Sequence, residues 1–244
     1  MGFPDFTDLR RIAAELTGNK EFDKLRKLIE QVWRVQSCIT DLRQSADCCD
    51  ALTTLLISPR QKQSASRATT ENSLLMSGVM FYARATGTSG QLGERGSIKL
   101  DDKKLTTEQR IDHKNLLEIR NRAFAHVYRE SPIASNLWHD DMVFAVDLAD
   151  QGWKPAVSSS RISFHVLTFQ RLLRQIPVAD EFMTRIFHKR MNAMMVTMND
   201  GSIPLEIFLR FRFDPIDKFH GVKAVELILA GIPVGHASFT THGP

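Results

Sequence analysis

The stretch from Glu21 to Ile57, EFDKLRKLIEQVWRVQSCITDLRQSADCCDALTTLLI, has the pattern of an amphipathic helix. Its apolar residues recur at steps of three and four positions, with Lys, Arg, Glu and Gln between them. They are Phe22, Leu25, Leu28, Ile29, Val32, Trp33, Val35, Ile39 and Leu42. This spacing predicts one long helix with a candidate break near Ser45. Ser58-Pro59 ends it, because a proline disfavours helical backbone in the residue before it.

Three further helices are predicted downstream. The second is capped by Thr69 or Thr70, runs to Thr86 and ends at Gly87. The third runs from about Thr106 to Tyr128. The fourth begins near Leu167, is interrupted at Pro177, and continues from Val178 to about Asn192. These helices predict a mainly α fold of the α+β class, built as a helical bundle.

Two segments have the alternating pattern of strands. A β excursion is predicted at about 142–166, between the third and fourth helices. After the fourth helix, Leu205, Ile207, Leu209, Phe211 and Phe213 alternate with other residues, and Val225 to Leu229 and Ile232 to Phe239 are further strand candidates. The sequence therefore predicts a helical domain over 1–192 and a β-rich C-terminal appendage over 193–244.

Composition restricts the class of protein. With 244 residues, of which 43% are hydrophobic, the chain is able to bury a core and is not mainly disordered. The net charge of +4 mildly favours the binding of anionic partners. Three cysteines, two of them adjacent, predict no disulfide framework, and the start of the chain has no signal-peptide pattern. A cytoplasmic protein with no membrane segment is expected.

The sequence contains no Gly-x-Ser-x-Gly elbow, no Walker loop and no His-Glu-x-x-His helix. Gly90, Gly93 and Gly96 follow a helix and not a strand, which argues against a dinucleotide site. His139 is followed by Asp140 and Asp141, but no second cluster at ligand spacing supports a metal site. No cofactor and no metal are expected.

The third helix carries an arginine on its apolar face. At about 100° per residue, the side chains of Leu116, Leu117, Ala123, Phe124 and Val127 fall within about 60° of Arg120. A charge in this position must be paired or must face a wet cleft, because an isolated buried charge costs several kcal/mol. Two structural explanations are open, namely pairing with a buried acid such as Glu71 or snorkelling to the surface. The functional explanation is an anion site.

The residues around Arg120 resemble the signature of the HEPN family, in which an arginine, usually followed by a polar residue, precedes a histidine. Here Arg120-Asn121 is followed by His126, with five residues between Arg120 and His126. The extension His126-Val127-Tyr128 is similar to the longer form found in HEPN toxins paired with nucleotidyltransferase antitoxins. The resemblance covers roughly residues 20–192 and implies a four-helix bundle.

The resemblance implies a function and a set of site residues. Many HEPN proteins are metal-independent ribonucleases that act as dimers, with the motif of each subunit lining one cleft. By this resemblance Arg120 stabilises charge on phosphate oxygens, His126 is the general base, and Asn121 orients the phosphate or the histidine. In an unbroken α-helix, however, Arg120 and His126 point about 120° apart. They share a site only if the helix frays or the dimer partner completes the cleft.

Four more residues are candidates around this motif. Arg122 shares a helix face with His126 and is an auxiliary phosphate contact. Glu71 reaches the cleft as a second acid, or orients Arg120, or is a helix-dipole partner. His113 either borders the cleft or is a solvated or core histidine. Tyr128 is either a modification site, as the resemblance implies, or a packing residue.

Two functions of different classes follow. The first is a metal-independent endoribonuclease, as a toxin or phage-defence component, that cleaves RNA by attack of the 2′-hydroxyl. The second is a non-catalytic HEPN-like module that binds RNA or protein. RNA, a second copy of the chain, and an antitoxin or other defence-system protein are the expected partners.

Overall fold

The computed structural model describes residues 3–58, 64–87, 98–124, 133, 138–149, 151–162 and 164–231. Over these residues the protein is mainly helical, as predicted. The α-helices are α1 (Leu9–Glu15), α2 (Asp23–Ile57), α3 (Ala65–Thr86), α4 (Thr107–Glu118), α5 (Val166–Asn199), α6 (Leu205–Arg210), α7 (Pro215–Phe219) and α8 (Val222–Gly231). A 3-10 turn (Asp102–Lys104) precedes α4, and a π-helical turn (Ile119–Phe124) follows it.

The strands form two small antiparallel sheets. β1 (Phe6–Thr7) pairs with β4 (Arg212–Phe213), and β2 (His139–Leu148) pairs with β3 (Gly152–Arg161). The β2–β3 hairpin confirms the β excursion predicted at about 142–166, with bounds of 139–161. It begins earlier, and Val166 is already the first residue of α5.

α2 is one unbroken helix of 35 residues. The candidate break at Ser45 is absent, since the Ser45 hydroxyl donates a hydrogen bond to the Gly78 carbonyl of α3, at 2.7 Å, and is fully buried. A Cβ on Gly78 would lie 3.3 Å from Leu172 and 3.6 Å from Cys48. The small residue therefore lets α2, α3 and α5 pack closely at this point.

The start of α3 differs from the prediction. Its N-cap is Ser64, whose side chain accepts a hydrogen bond from the Arg67 amide. Thr69 and Thr70 lie inside the helix, where each hydroxyl donates to the carbonyl four residues earlier. The end at Gly87 is as predicted.

α5 continues through Pro177 without interruption, which corrects the predicted break, and it reaches Asn199 instead of Asn192. Pro177 is exposed. Leu172, Ile176 and Ala179 on the same helix are buried. Burial of this apolar stripe outweighs the hydrogen bond that the proline removes.

The predicted β-rich appendage is wrong over the residues described. Leu205 to Arg210 form α6 and Val222 to Gly231 form α8, and only Arg212–Phe213 is a strand. The alternation misled because Leu205, Phe208 and Leu209 also satisfy the three- and four-residue spacing of a helix. The strand candidate Ile232 to Phe239 lies outside the described residues.

The chain divides into two compact units, residues 1–36 with 184–244, and residues 37–183. The unit formed by residues 1–36 with 184–244 has its own core, in which α6 packs against buried residues of α1 and α2. The buried residues of this core are Ile12, Ala13, Leu16, Phe22, Leu25, Leu28, Ile29, Met194, Ile203 and Phe211. The predicted division at 192 and 193 stays a prediction. Among the described helices, none has an apolar stretch long enough to cross a membrane.

Candidate functional site

The motif arginine lies on the π turn, the name used here for Ile119–Phe124. α4 begins with a capping box, in which Thr106 and Gln109 satisfy each other's backbone amides, and it is regular as far as Glu118. Ile119 and Ala123 of the π turn are buried. Such turns are rare inside α-helices and occur frequently at functional sites.

Arg120 is bound to its neighbour in the sequence. Its Nη1 donates a hydrogen bond to Oδ1 of Asn121, at 2.8 Å. The Arg120 side chain is partly exposed and Asn121 is exposed. Over the residues described, Arg120 has no carboxylate partner. The guanidinium therefore keeps donors on its other nitrogens for an external anion.

Glu71 lies with Arg67 and not with Arg120. Its Oε1 accepts a hydrogen bond from Arg67 Nε, at 2.8 Å. Arg67 also donates to the carbonyls of Leu55 and Ser58, at 2.7 and 3.1 Å, and is only 8% exposed. Glu71 thus holds an arginine that satisfies carbonyls at the C-terminal end of α2.

Arg122, on the π turn, forms an ion pair with Glu118 at the end of α4. Its Nη1 lies 2.6 Å from Oε1 of Glu118, four residues earlier. Both side chains are partly exposed, so water screens this pair. A phosphate contact by Arg122 requires competition with Glu118.

His113 is a core residue, which agrees with the second of its two interpretations. It is 4% exposed, and its Nδ1 lies 2.8 Å from the hydroxyl of fully buried Tyr82. Its Nε2 is 4.0 Å from Oδ1 of Asp102. Burial lowers the pKa of His113, and the charge of Asp102 opposes that shift.

Protein stability is expected to fall as the pH drops below about 6.5, the ordinary pKa of histidine. A lowered pKa in the folded state means that the unfolded chain binds more protons there, so the stabilisation is complete above this pH and is lost below it. Burial, and then the charge of Arg171, lowers the pKa of His165, which adds in the same direction. Melting temperatures measured at about pH 7.5 and 5.5 check this.

Two matched variants test whether His113 causes the pH dependence of the melting temperature. His113→Gln keeps a hydrogen-bond acceptor for Tyr82 but does not titrate, so its melting temperature should depend less on pH than that of the wild type. His188→Gln, at an exposed position of α5, should keep the wild-type dependence. Equal pH dependence in wild type and His113→Gln would contradict the assignment.

The remaining motif residues, His126 and Tyr128, lie outside the described residues, as does Val127. The expected angle of about 120° between Arg120 and His126 assumed 100° per residue. Hydrogen bonds from residue i to i+5 reduce the rotation per residue across the π turn, so the value of 100° per residue does not hold from Arg120 to Phe124.

A histidine that the motif did not indicate contacts the π turn. The His139 Nε2 donates a hydrogen bond to the Ala123 carbonyl, at 2.9 Å, and so joins the start of β2 to the π turn. The buried Trp138 ring lies edge-on to Phe124 and to His165, with centroids 5.4 and 5.2 Å apart. The sequence around His139 pointed only to a metal site with Asp140 and Asp141. In the chain as described, no group of three His, Cys, Asp or Glu residues is arranged to hold a metal.

Buried Asp112 is a second residue that the sequence patterns did not single out. Its Oδ2 accepts hydrogen bonds from Arg174 Nε and Nη2, at 2.9 and 2.7 Å, and its Oδ1 lies 3.4 Å from Arg171 Nε. Asp112 is four residues before buried Leu116, so the helical period does place it on the apolar face of α4. This one carboxylate holds two arginines of α5.

Comparisons with protein-family profiles, with curated proteins and with solved structures found no match for this chain.

Proposed function

We propose that this protein is a metal-independent endoribonuclease of the HEPN type, in which the 2′-hydroxyl of RNA attacks its own phosphate. The observation that supports this most directly is the state of Arg120. It is partly exposed on a π turn, it is held by Asn121, and it has no carboxylate partner among the described residues. A partly exposed guanidinium that is not paired with a described acid is suited to binding an anion.

The pairing of Arg120 with Asn121 suits the chemistry of phosphoryl transfer. Arginine has five N–H donors in a planar fork, and the Asn121 amide oxygen occupies one of its nitrogens. The other guanidinium nitrogens have no bond to a described residue and are able to donate two parallel bonds to the phosphate oxygens on which negative charge grows. In this proposal Asn121 orients Arg120, and Arg120 stabilises the pentavalent phosphate.

His126 is the general base of the proposal. An imidazole with a pKa near neutrality removes the proton of the 2′-hydroxyl and returns a proton to the departing 5′-oxygen. The resemblance to HEPN proteins assigns this role to His126, which follows Arg120 after five intervening residues. It also suggests a homodimer in the cytoplasm, acting as a toxin or in phage defence, with an antitoxin or other defence-system protein as partner.

Cleavage of a structured RNA in the presence of EDTA is the experiment that tests the proposal. The purified protein is expected to produce fragments that end in a 2′,3′-cyclic phosphate, because the attacking hydroxyl belongs to the RNA itself. His126→Ala is expected to abolish these fragments, whereas His188→Ala, at an exposed position of α5, should leave them unchanged.

The alternative function gives a different result in the same assay. A non-catalytic module binds RNA or protein but produces no cyclic phosphate with either the wild type or His188→Ala. Cleavage that persists in His126→Ala would also contradict the proposal, since it would indicate a contaminating nuclease or another base.

A further inference from the structure

The β2–β3 hairpin exposes an unusual amount of apolar surface. Seven large apolar side chains of its two strands are at least 38% exposed; they are Met142, Val143, Phe144, Val146, Leu148, Trp153 and Val157. Within the described chain, no other helix or strand has an extensive contact with the hairpin, which is joined to the π turn at its start through His139. A two-stranded hairpin is marginally stable by itself, and contiguous exposed apolar patches mark interaction surfaces.

One face of the hairpin is formed by a ridge beside a trough. Side chains alternate between the two faces of a strand, so Met142, Phe144, Val146 and Leu148 of β2 share one face. Their partners across the hairpin on that face are Ser158, Ala156, Lys154 and Gly152. Large side chains therefore line β2, while β3 beside them carries small side chains and one flexible lysine. We call this the ridged face; the opposite face carries Val143, Val157 and Trp153.

We propose that the ridged face binds the ridged face of a second copy of this chain. A two-fold axis parallel to the strands, between the two faces, places β2 of each copy over β3 of the other. Phe144 of one copy then lies over Ala156 of the other, and Met142 over Ser158. Leu148 lies over Gly152, and the aliphatic stem of Lys154 packs on Val146. Each large side chain thus meets a small or flexible one.

Complementarity of the face to itself favours a second copy as the occupant. The match of ridge and trough follows from the register of a single chain, and only a copy of that chain repeats it. The two charges on the ridged face, Asp140 and Lys154, cancel, so the face does not repel its copy. RNA fits the hairpin poorly, because 139–161 contains four aspartates against one lysine and one arginine.

Pairing through the hairpin edges is less favourable than pairing through the face. In β3, Pro155 lacks the backbone N–H that a further strand would need from the open edge. In β2, an antiparallel copy would bring together strands that each carry Asp140, Asp141 and Asp147. The face avoids both problems.

The size of the ridged face predicts a weak dimer. Each strand has ten residues, and half of them point to this face, which gives ten residues per copy. Stable interfaces contain about 20–30 residues on each side. Association is therefore expected at micromolar concentration or above, and it should depend on concentration.

Sedimentation velocity over a range of concentrations, without RNA, tests the proposal. The wild type should shift from monomer to dimer, and Phe144→Asp should raise the dissociation constant by at least ~30-fold, as for a central apolar contact. Val143→Asp is the matched control. It introduces the same charge one residue away, at a position that is 81% exposed on the opposite face, and should dimerise as the wild type does.

A variant that fills the trough, Ala156→Phe, distinguishes specific docking from non-specific hydrophobic association. Ala156→Phe adds apolar surface, so non-specific association would become stronger. In the proposed geometry it blocks the site of Phe144 from the other copy, so dimerisation should become weaker. Far-UV circular dichroism of each variant verifies that it is folded, and Met142→Asp replaces Phe144→Asp if the latter does not fold.

Four results would overturn the proposal. The first three are a wild type that stays monomeric throughout, equal effects of Phe144→Asp and Val143→Asp, and stronger association of Ala156→Phe. Loss of RNA binding in Phe144→Asp with unchanged self-association would also overturn it, in favour of a nucleic acid on this face. The inference goes beyond the proposed activity, because sedimentation reports association whether or not the protein cleaves RNA.

Discussion

Replacing Arg120 with lysine is expected to slow RNA cleavage by ~10²–10³-fold, the effect of removing one donor to the transition state. Lysine keeps the positive charge, so the affinity for RNA should change little, but it loses the planar fork that contacts two phosphate oxygens. Single-turnover cleavage at saturating protein measures the first quantity, and filter binding measures the second.

The structure predicts that Arg120→Lys leaves stability unchanged. Arg120 is partly exposed, and its partner Asn121 is exposed. Arg110→Lys is a matched control, because Arg110 lies on α4, directly before the π turn, and donates to the carbonyls of Asp102 and Leu105. This control should cleave normally. If Arg120→Lys melts several degrees lower and cleaves normally once corrected for the folded fraction, Arg120 is structural and Arg122 becomes the candidate.

Replacing Asp112 with asparagine is expected to lower the free energy of unfolding by about 3–5 kcal/mol, the cost of removing one partner of a buried ion pair. The side chain of Arg171 is 15% exposed, and its Nη1 is buried with no hydrogen-bond partner among the described residues. Without the Asp112 carboxylate, this cation stays buried and uncompensated. Urea unfolding of wild type and variant measures the difference.

Glu118→Gln is the control for the loss of Asp112. It breaks the pair of Glu118 with Arg122, in which both side chains are partly exposed, and should cost less than about 1 kcal/mol. Similar costs for the two variants would show that the Asp112 carboxylate is not important for stability. Because Arg174 is half exposed, Arg174→Ala should be milder than Asp112→Asn.

The long helices were predictable because burial and helical period agree in them. α2 matches its apolar repeat almost to the residue, and Gly87 ends α3 as expected. The helix breaks predicted at Ser45 and Pro177 are wrong, because a local signal for a break is weaker than the burial of the apolar stripe around it. The tail failed because the spacing of Leu205, Phe208 and Leu209 fits a helix as well as the alternation fits a strand.

The candidate site was only partly predictable. The adjacency of Arg120 and Asn121 is visible in the sequence, but no residue of Ile119–Phe124 signals a π turn. His139 contacts the π turn through tertiary structure, across fifteen intervening residues, so local patterns do not reveal it. Asp112 had a visible signal, its position four residues before Leu116, and only its arginine partners required the structure.

The π turn has a consequence for insertions and deletions in this chain. An i to i+5 hydrogen bond spans one residue more than the i to i+4 bond of an α-helix. Deleting one residue between Ile119 and Phe124 would therefore remove the extra residue and let regular α-helical hydrogen bonds replace the π turn. The same deletion in the middle of α4 would rotate the side chains of α4 that follow it by about 100°. The π turn is thus the point at which the backbone of this segment is expected to tolerate the loss of one codon.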